Sequence, residues 1–192
     1  MSNLYDQHST LFRKAFEEGL SFQHYLGSAS SSERARWMQS YESARLSDEQ
    51  RSLLAAFRRK QNILVLSGIW CGDCARSCPL LVKIAEATST ISLRFVESRS
   101  DPTLVDELRI HGASRVPVVV TLSEDYFEVS RFGDRTLSVY RRKASEELGP
   151  SCAIGGSSSA ALDAEIADWV SHVERSELML RLSGLLRARY ND

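Results

Sequence analysis

The sequence predicts an α/β fold, a central mixed sheet flanked by helices, with a helical extension at its N-terminal end. Three observations lead there. Short apolar runs of strand length, among them Ile63–Leu66, Ile91–Val96 and Val116–Leu122, alternate with stretches whose apolar residues recur at helical spacing. Their order is strand, helix, strand, helix, strand, strand, which lays helices over a sheet of mixed direction. The length, 192 residues of which 43% are hydrophobic, suffices for one domain with a sizeable core and is too apolar for a disordered chain.

Residues 1–60 read as a helical extension packed on the core, and residues 61–192 as the α/β domain with its C-terminal helices. In the extension, Leu11, Phe12, Phe16 and Leu20 recur at helical spacing. Gly27 and Ser28–Ser32 break that pattern. Ser30 with Glu33, and Ser47 with Gln50, form capping boxes in which each side chain satisfies a free amide of a new helix. Two or three short amphipathic helices follow from these signals. Burying their apolar faces on the core is the simplest role for them.

In the second part, Ile63–Leu66 is continuously apolar, as a strand buried on both faces is. Cys74–Thr88 is helical in spacing, with Pro79 predicting a kink. Ile91–Val96 is the next strand. Asp101-Pro102 then opens a helix, with Asp as the cap and Pro at the first helical position. Val116–Leu122 and Phe127–Phe132 are the last strands. Leu137–Glu147 reads as helical and Gly149–Ser159 as a mobile surface loop. Leu162, Ile166, Trp169, Val170 and Val173 mark a strong amphipathic helix, and a final helix carries Leu178, Leu182, Leu185 and Leu186.

Composition excludes several functions. With 24 basic against 25 acidic residues the net charge is −1, and Arg58-Arg59-Lys60 and Arg141-Arg142-Lys143 are short solvated clusters, so no nucleic-acid partner is expected. The apolar runs are too short to span a bilayer, so no membrane partner is expected either. The opening residues, MSNLYDQHST, lack a basic region followed by an apolar stretch, so the expected location is the cytoplasm. No phosphate loop or dinucleotide fingerprint is present, and the expectation is no bound cofactor. His8, His24, His111 and His172 are scattered and pair with nothing in sequence.

The cysteines carry the functional signal. Cys71, Cys74 and Cys78 fall within eight residues, and Cys152 stands apart. Such clustering in a cytosolic chain reads as catalytic or metal-binding rather than as a disulfide scaffold. Cys71-x-x-Cys74 lies between a predicted strand and a predicted helix. The free amides and positive end of a helix start stabilise a thiolate, which is the attacking species in disulfide exchange. The first cysteine lies nearer the amides and solvent, so Cys71 is the expected nucleophile and Cys74 the resolving thiol.

At this point the chain resembles the thioredoxin superfamily. An apolar strand, Ile63–Leu66, leads into Trp70-Cys71-Gly72-Asp73-Cys74, and Pro79 stands five residues after the second cysteine. Val116-Pro117 before a later strand matches the family's apolar residue and cis-proline, and Gly133 resembles its later glycine. Residues 60–135 carry the resemblance, with Leu162–Val173 as a terminal helix, and the variant motif with N-terminal helices is similar to bacterial thioredoxin-like proteins. The resemblance implies a thioredoxin-like fold and a thiol–disulfide oxidoreductase. Cys71 and Cys74 are then catalytic, Trp70, Gly72 and Asp73 support the site, and Val116 and Pro117 bind substrate. Clients are disulfide-containing proteins, with electrons from a separate reductase or a small thiol. The rival reading is a thioredoxin-fold interaction or scaffold module with little reductase activity.

The chain departs from the family at three places. Val65 occupies the position of a buried acid, which is the usual proton acceptor for the resolving thiol, so water or another acid has to substitute. The lysine that partners that acid has no match in Leu93–Glu97. Asp73 replaces the proline of thioredoxin itself, and either opposes thiolate formation by like charge, accepts a proton, or is simply a solvated acid of the first turn. Cys78 is expected to be a small buried residue rather than a metal ligand, because the iron–sulfur spacing it resembles lacks one cysteine. Glu97 and Asp101, between a strand and a helix, are candidates to border the site, although its role as an N-cap suffices for Asp101.

Overall fold

The computed structural model describes residues 5–149 and 161–191. Its centre is the strand β1 (Gln61–Ser67), every residue of which is buried. The alternation of its side chains divides the interior in two. Ile63 and Val65 belong to one core, and Leu64 and Leu66 to the other. A strand buried on both faces has neighbours on both edges. β2 (Ile91–Glu97) runs parallel beside it, from Gln61 opposite Ile91 to Ser67 opposite Glu97. β3 (Val118–Leu122) is antiparallel on the other edge, and β4 (Glu128–Gly133) pairs antiparallel with β3, giving the order β2-β1-β3-β4. β3 starts two residues later than the sequence suggests, because Pro117 has no N–H to give the ladder.

Four helices precede the sheet: α1 (Ser9–Glu18), α2 (Phe22–Tyr25) with a short 3-10 turn after it, α3 (Ser31–Ser43) and α4 (Asp48–Ala55). Both capping boxes form, at Ser30 with Glu33 and at Ser47 with Gln50. These helices supply core rather than cover it. Phe12, Ala15 and Phe16 of α1 pack on Leu64, Leu66 and β3. Tyr25 and Trp37, both almost wholly buried, join the opposite core with Phe95 of β2. The Tyr25 and Phe95 rings stack at 5.2 Å, and Trp37 meets Tyr25 edge-on at 5.6 Å. Leu20 exchanges two backbone hydrogen bonds with Phe95, of 2.8 and 2.9 Å, and so covers part of the outer edge of the sheet.

After the sheet enters its first crossover, α5 (Gly72–Glu86) packs beneath α3, and α6 (Pro102–Glu107) follows β2 with Asp101 as its cap, its carboxylate accepting from the Leu104 amide at 3.0 Å. α5 continues through Pro79 as one helix. Its proline removes the bond to the Ala75 carbonyl, but Cys78, Leu80 and Leu81 are wholly buried around it, and that packing holds the helix together. α7 (Leu137–Leu148), α8 (Ala161–Leu182) and α9 (Gly184–Tyr190) complete the chain. The break in the last stretch falls later than the sequence suggests. Leu178 and Leu182 belong to α8, and α9 starts at Gly184 after its N-cap Ser183, whose side chain accepts from the Leu186 amide. The predicted loop Gly149–Ser159 lies, after Gly149, outside the described residues, as does Cys152. Among the described residues no helix is long and apolar enough to cross a membrane.

α8 is tied to the sheet partly through His172, which sits between Phe132 and Trp169, with the Thr121 and Ser130 hydroxyls at 3.4 Å. Burial, then the nearby Arg175, pushes its pKa down to about 4. An unfolded histidine near 6.5 takes a proton more readily, so this contribution to stability is full above pH 6.5 and is lost as pH falls towards 4. Replacing His172 by Gln should flatten the loss of stability between pH 7 and 4.5, measured by urea unfolding, by up to about 3 kcal/mol. An unchanged pH slope would show that His172 already titrates normally.

Candidate active site

The site is built where β1 ends and α5 begins. Ser67, Gly68 and Ile69 carry the chain out of the sheet, and three contacts hold this turn. Trp37 Nε1 donates to the Ile69 carbonyl at 3.0 Å. The Ile69 amide donates to Glu97 Oε2 at 3.0 Å. Trp70 folds back over Gly68, where a Cβ would lie 2.8 Å from the indole ring. Trp70 itself remains 45% exposed, with the Arg99 guanidinium over its ring. The chain is thereby delivered with Cys71 as the N-cap of α5.

The two cysteines differ in access. Cys71 is partly exposed, and its sulfur accepts from the Cys74 amide at 3.5 Å, as a capping side chain does. Cys74 is wholly buried, with the Gly68 amide 3.5 Å from its sulfur. Both are free thiols. The sequence predicts a stabilised thiolate at Cys71, but stronger effects oppose it. The Cys71 thiol is held up first by its hydrogen bond with Cys74 and then by burial, against the lowering contacts of the Cys74 and Asp73 amides. Burial is the main cause that pushes up Cys74. The preference for Cys71 as attacking sulfur therefore rests on access rather than on an acidic thiol.

The remaining positions named from the sequence gather here, with different weights. The Val116–Pro117 bond is cis, and the Val116 carbonyl lies 3.8 Å from Cys71 Sγ. Gly133 of β4 allows this approach, since a Cβ there would stand 3.0 Å from the Pro117 carbonyl and 3.3 Å from Val118 Cα. Gly72 has no such role, because a Cβ would meet nothing within 4 Å. Asp73 is neither a bare charge nor simply solvated. Arg135 donates to its carboxylate at 2.6 Å and to Asp134 at 3.2 Å. This cation offsets the negative charge beside the thiols, and the sequence carries no local sign of it. Cys78 is wholly buried, with its sulfur 3.8 Å from Ser67 Oγ. Among the described residues no group of three or more His, Cys, Asp or Glu side chains is arranged to hold a metal.

Ser67 and Tyr25 are the neighbours that sequence reasoning missed. The Ser67 hydroxyl, wholly buried, lies behind the site against the Cys78 sulfur. The Tyr25 hydroxyl donates to Glu97 Oε2 at 2.9 Å. Only the position of Ser67, four residues before Cys71, hinted at contact.

A Cys-x-x-Cys pair capping the helix after a central strand, opposite a cis-proline, defines a thioredoxin-fold dithiol protein. Residues 19–145 match the thioredoxin family, and the chain belongs to it. That match takes in α2, α3 and α4. Among solved structures, it is similar to an HIV epitope-scaffold, at 20% identity over 85% of this chain and 97% of that one, with a TM-score of 0.66. It is likewise similar to a Pseudomonas aeruginosa protein of unknown function, at 20% identity over 83% and 97%, with a TM-score of 0.63. At such identity these likenesses speak to the fold alone. No curated protein matches the chain.

The two glycines offer a direct check on this geometry. Gly133→Ala should cost about 1–3 kcal/mol in urea unfolding, because backbone rather than a flexible side chain blocks the new methyl. Gly72→Ala should leave stability unchanged or raise it by up to about 1 kcal/mol, as alanine favours the helix. Equal effects at both positions would contradict the close approach of β4 to Pro117.

Proposed function

We propose that this protein is a thiol–disulfide oxidoreductase that reduces or exchanges protein disulfides in the cytosol, with Cys71 and Cys74 as its working pair. The observation that carries the reading is the graded access of two adjacent thiols, one partly exposed at a helix N-cap and one wholly buried behind it. Cys71 attacks a client disulfide, forming a mixed disulfide and releasing one client thiolate. Cys74 then attacks Cys71, closing the protein disulfide and releasing the second client thiolate. The amides of Asp73 and Cys74 favour charge on Cys71 during the attack. The backbone beside Cys71, at Val116, offers an extended client chain a hydrogen-bonding partner, and exposed Trp70 offers it an apolar surface. Electrons return from a separate reductase or a small thiol.

One observation favours a second reading, an interaction module with little turnover. Val65, beside the site in β1, is wholly buried and apolar, so the central strand supplies no acid to receive the Cys74 proton. The two readings separate in an insulin-reduction assay with dithiothreitol. The oxidoreductase should accelerate turbidity, Cys71→Ser should return it to the rate of dithiothreitol alone, and Cys74→Ser should trap mixed disulfides through Cys71. Wild-type protein that adds nothing to the dithiothreitol rate and a Cys74→Ser variant that traps no client would support the interaction module.

A further inference from the structure

The end of the sheet that carries Cys71 also gathers arginines. Ser67 stands opposite Glu97, Leu66 opposite Val118, and Val118 opposite Gly133. The chain therefore leaves β1, β2 and β4, and enters β3, at one end of the sheet. Arg99 follows β2 there, Arg115 precedes Val116 and β3, and Arg135 follows β4, with Cys71 among them after β1. We infer that Arg99 and Arg115 select clients whose disulfide is flanked by carboxylates, in an acidic, extended segment of a protein; the inference rests on the oxidoreductase reading above and names its substrate class.

The acids at this end are already engaged. Asp73 and Asp134 both accept from Arg135. Glu97 accepts from the Tyr25 hydroxyl and the Ile69 amide, and Asp101 accepts from the Leu104 amide as the cap of α6. Arg99 and Arg115 are both exposed, and among the described residues neither guanidinium is paired with a carboxylate. The charges left open to a partner here are thus these two cations.

Both stand where a client must pass. Arg99 lies over the Trp70 ring, 5.2 Å from its centre, and Trp70 adjoins Cys71 and is 45% exposed. Stacking orients the guanidinium plane and leaves its N–H edge free for a carboxylate. Arg115 is bonded to Val116, whose carbonyl stands 3.8 Å from Cys71 Sγ. Because the strand order is β2-β1-β3, Arg99 and Arg115 approach Cys71 from opposite sides. An extended chain advances about 3.3 Å per residue, so a carboxylate two or three residues from the client cysteine lies about 7–10 Å along the chain, within the span of a long arginine side chain. A client laid along Val116 can therefore place acids on either side of its cysteine against the two guanidinium groups.

The probe pair is dithiobis(nitrobenzoate), which carries two carboxylates, and dithiodipyridine, which carries none. Stopped-flow absorbance follows attack by Cys71 in a Cys74→Ser, Cys152→Ser background. Taking the ratio of the two rate constants cancels any change in the reactivity of Cys71 itself. Arg99→Gln combined with Arg115→Gln should lower that ratio by about three- to tenfold, the size of two exposed ion pairs, whereas Arg189→Gln, which removes a partner of Asp125 beyond the far end of β3, should leave it within about 1.5-fold. With Cys74 restored, and relative to dithiothreitol alone, the protein should reduce a peptide disulfide flanked by glutamates faster than one flanked by lysines, and the double arginine variant should lose that preference. An unchanged ratio in the double variant, or equal treatment of the two peptides before the arginines are changed, would overturn the proposal. Cys152→Ser protein with Cys74 intact that releases only one thionitrobenzoate per chain would instead overturn the oxidoreductase reading, an outcome seen without either arginine variant.

Discussion

The site depends on how the end of β1 is held. A strand buried on both faces cannot shift without moving two cores at once, so the point at which the chain leaves it is fixed. Trp37 of α3 and Glu97 of β2 then grip Ile69 from two sides, through its carbonyl and its amide. Four residues after the strand, Cys71 arrives as the N-cap of α5. The position of the more accessible sulfur is thus set by packing that lies mostly behind it.

The same packing creates the chemical difficulty. Burying Cys74 places it against the partly exposed Cys71, but burial also disfavours the charged thiolate. Asp73 would add a further negative charge, and Arg135, just after β4, offsets it. The N-terminal helices take part in this balance. Tyr25 stacks on Phe95 while its hydroxyl reaches Glu97, the carboxylate that holds the Ile69 amide, so one ring serves both the aromatic core and the turn before Cys71. α2 and α3 are in this sense part of the site, a role that their amphipathic pattern alone does not reveal.

What the sequence made legible was local. The apolar run of β1, the capping boxes at Ser30 and Ser47, the cap at Asp101 and the Cys-x-x-Cys spacing each lie within a few residues and appear in the structure where the sequence puts them. The link of Val116 and Pro117 to Cys71 came from family resemblance, not from periodicity. What stayed hidden joins distant segments. Arg135 reaches Asp73 across 62 positions, and Tyr25 reaches Glu97 across 72. No local pattern encodes such pairs. The thiol environment is only half legible for a related reason: helix-start amides are readable in sequence, whereas the burial and sulfur–sulfur contact that push both thiols up are not. The junction of α8 and α9 is hard to read because Leu178 and Leu182 continue the apolar spacing smoothly, and only Ser183 ends it.

On the proposed reading Cys71 and Cys74 form a reversible redox pair, and Cys78, one turn further along α5, takes no part in the exchange. The most direct measurement is a redox titration in glutathione buffers, quenched with an alkylating agent and mapped by peptide mass. The expected result is one two-electron transition joining Cys71 to Cys74, reached equally from the reduced and oxidised sides, with Cys78 a thiol throughout. A disulfide from Cys74 to Cys78, or an oxidation that reducing buffer does not reverse, would contradict it.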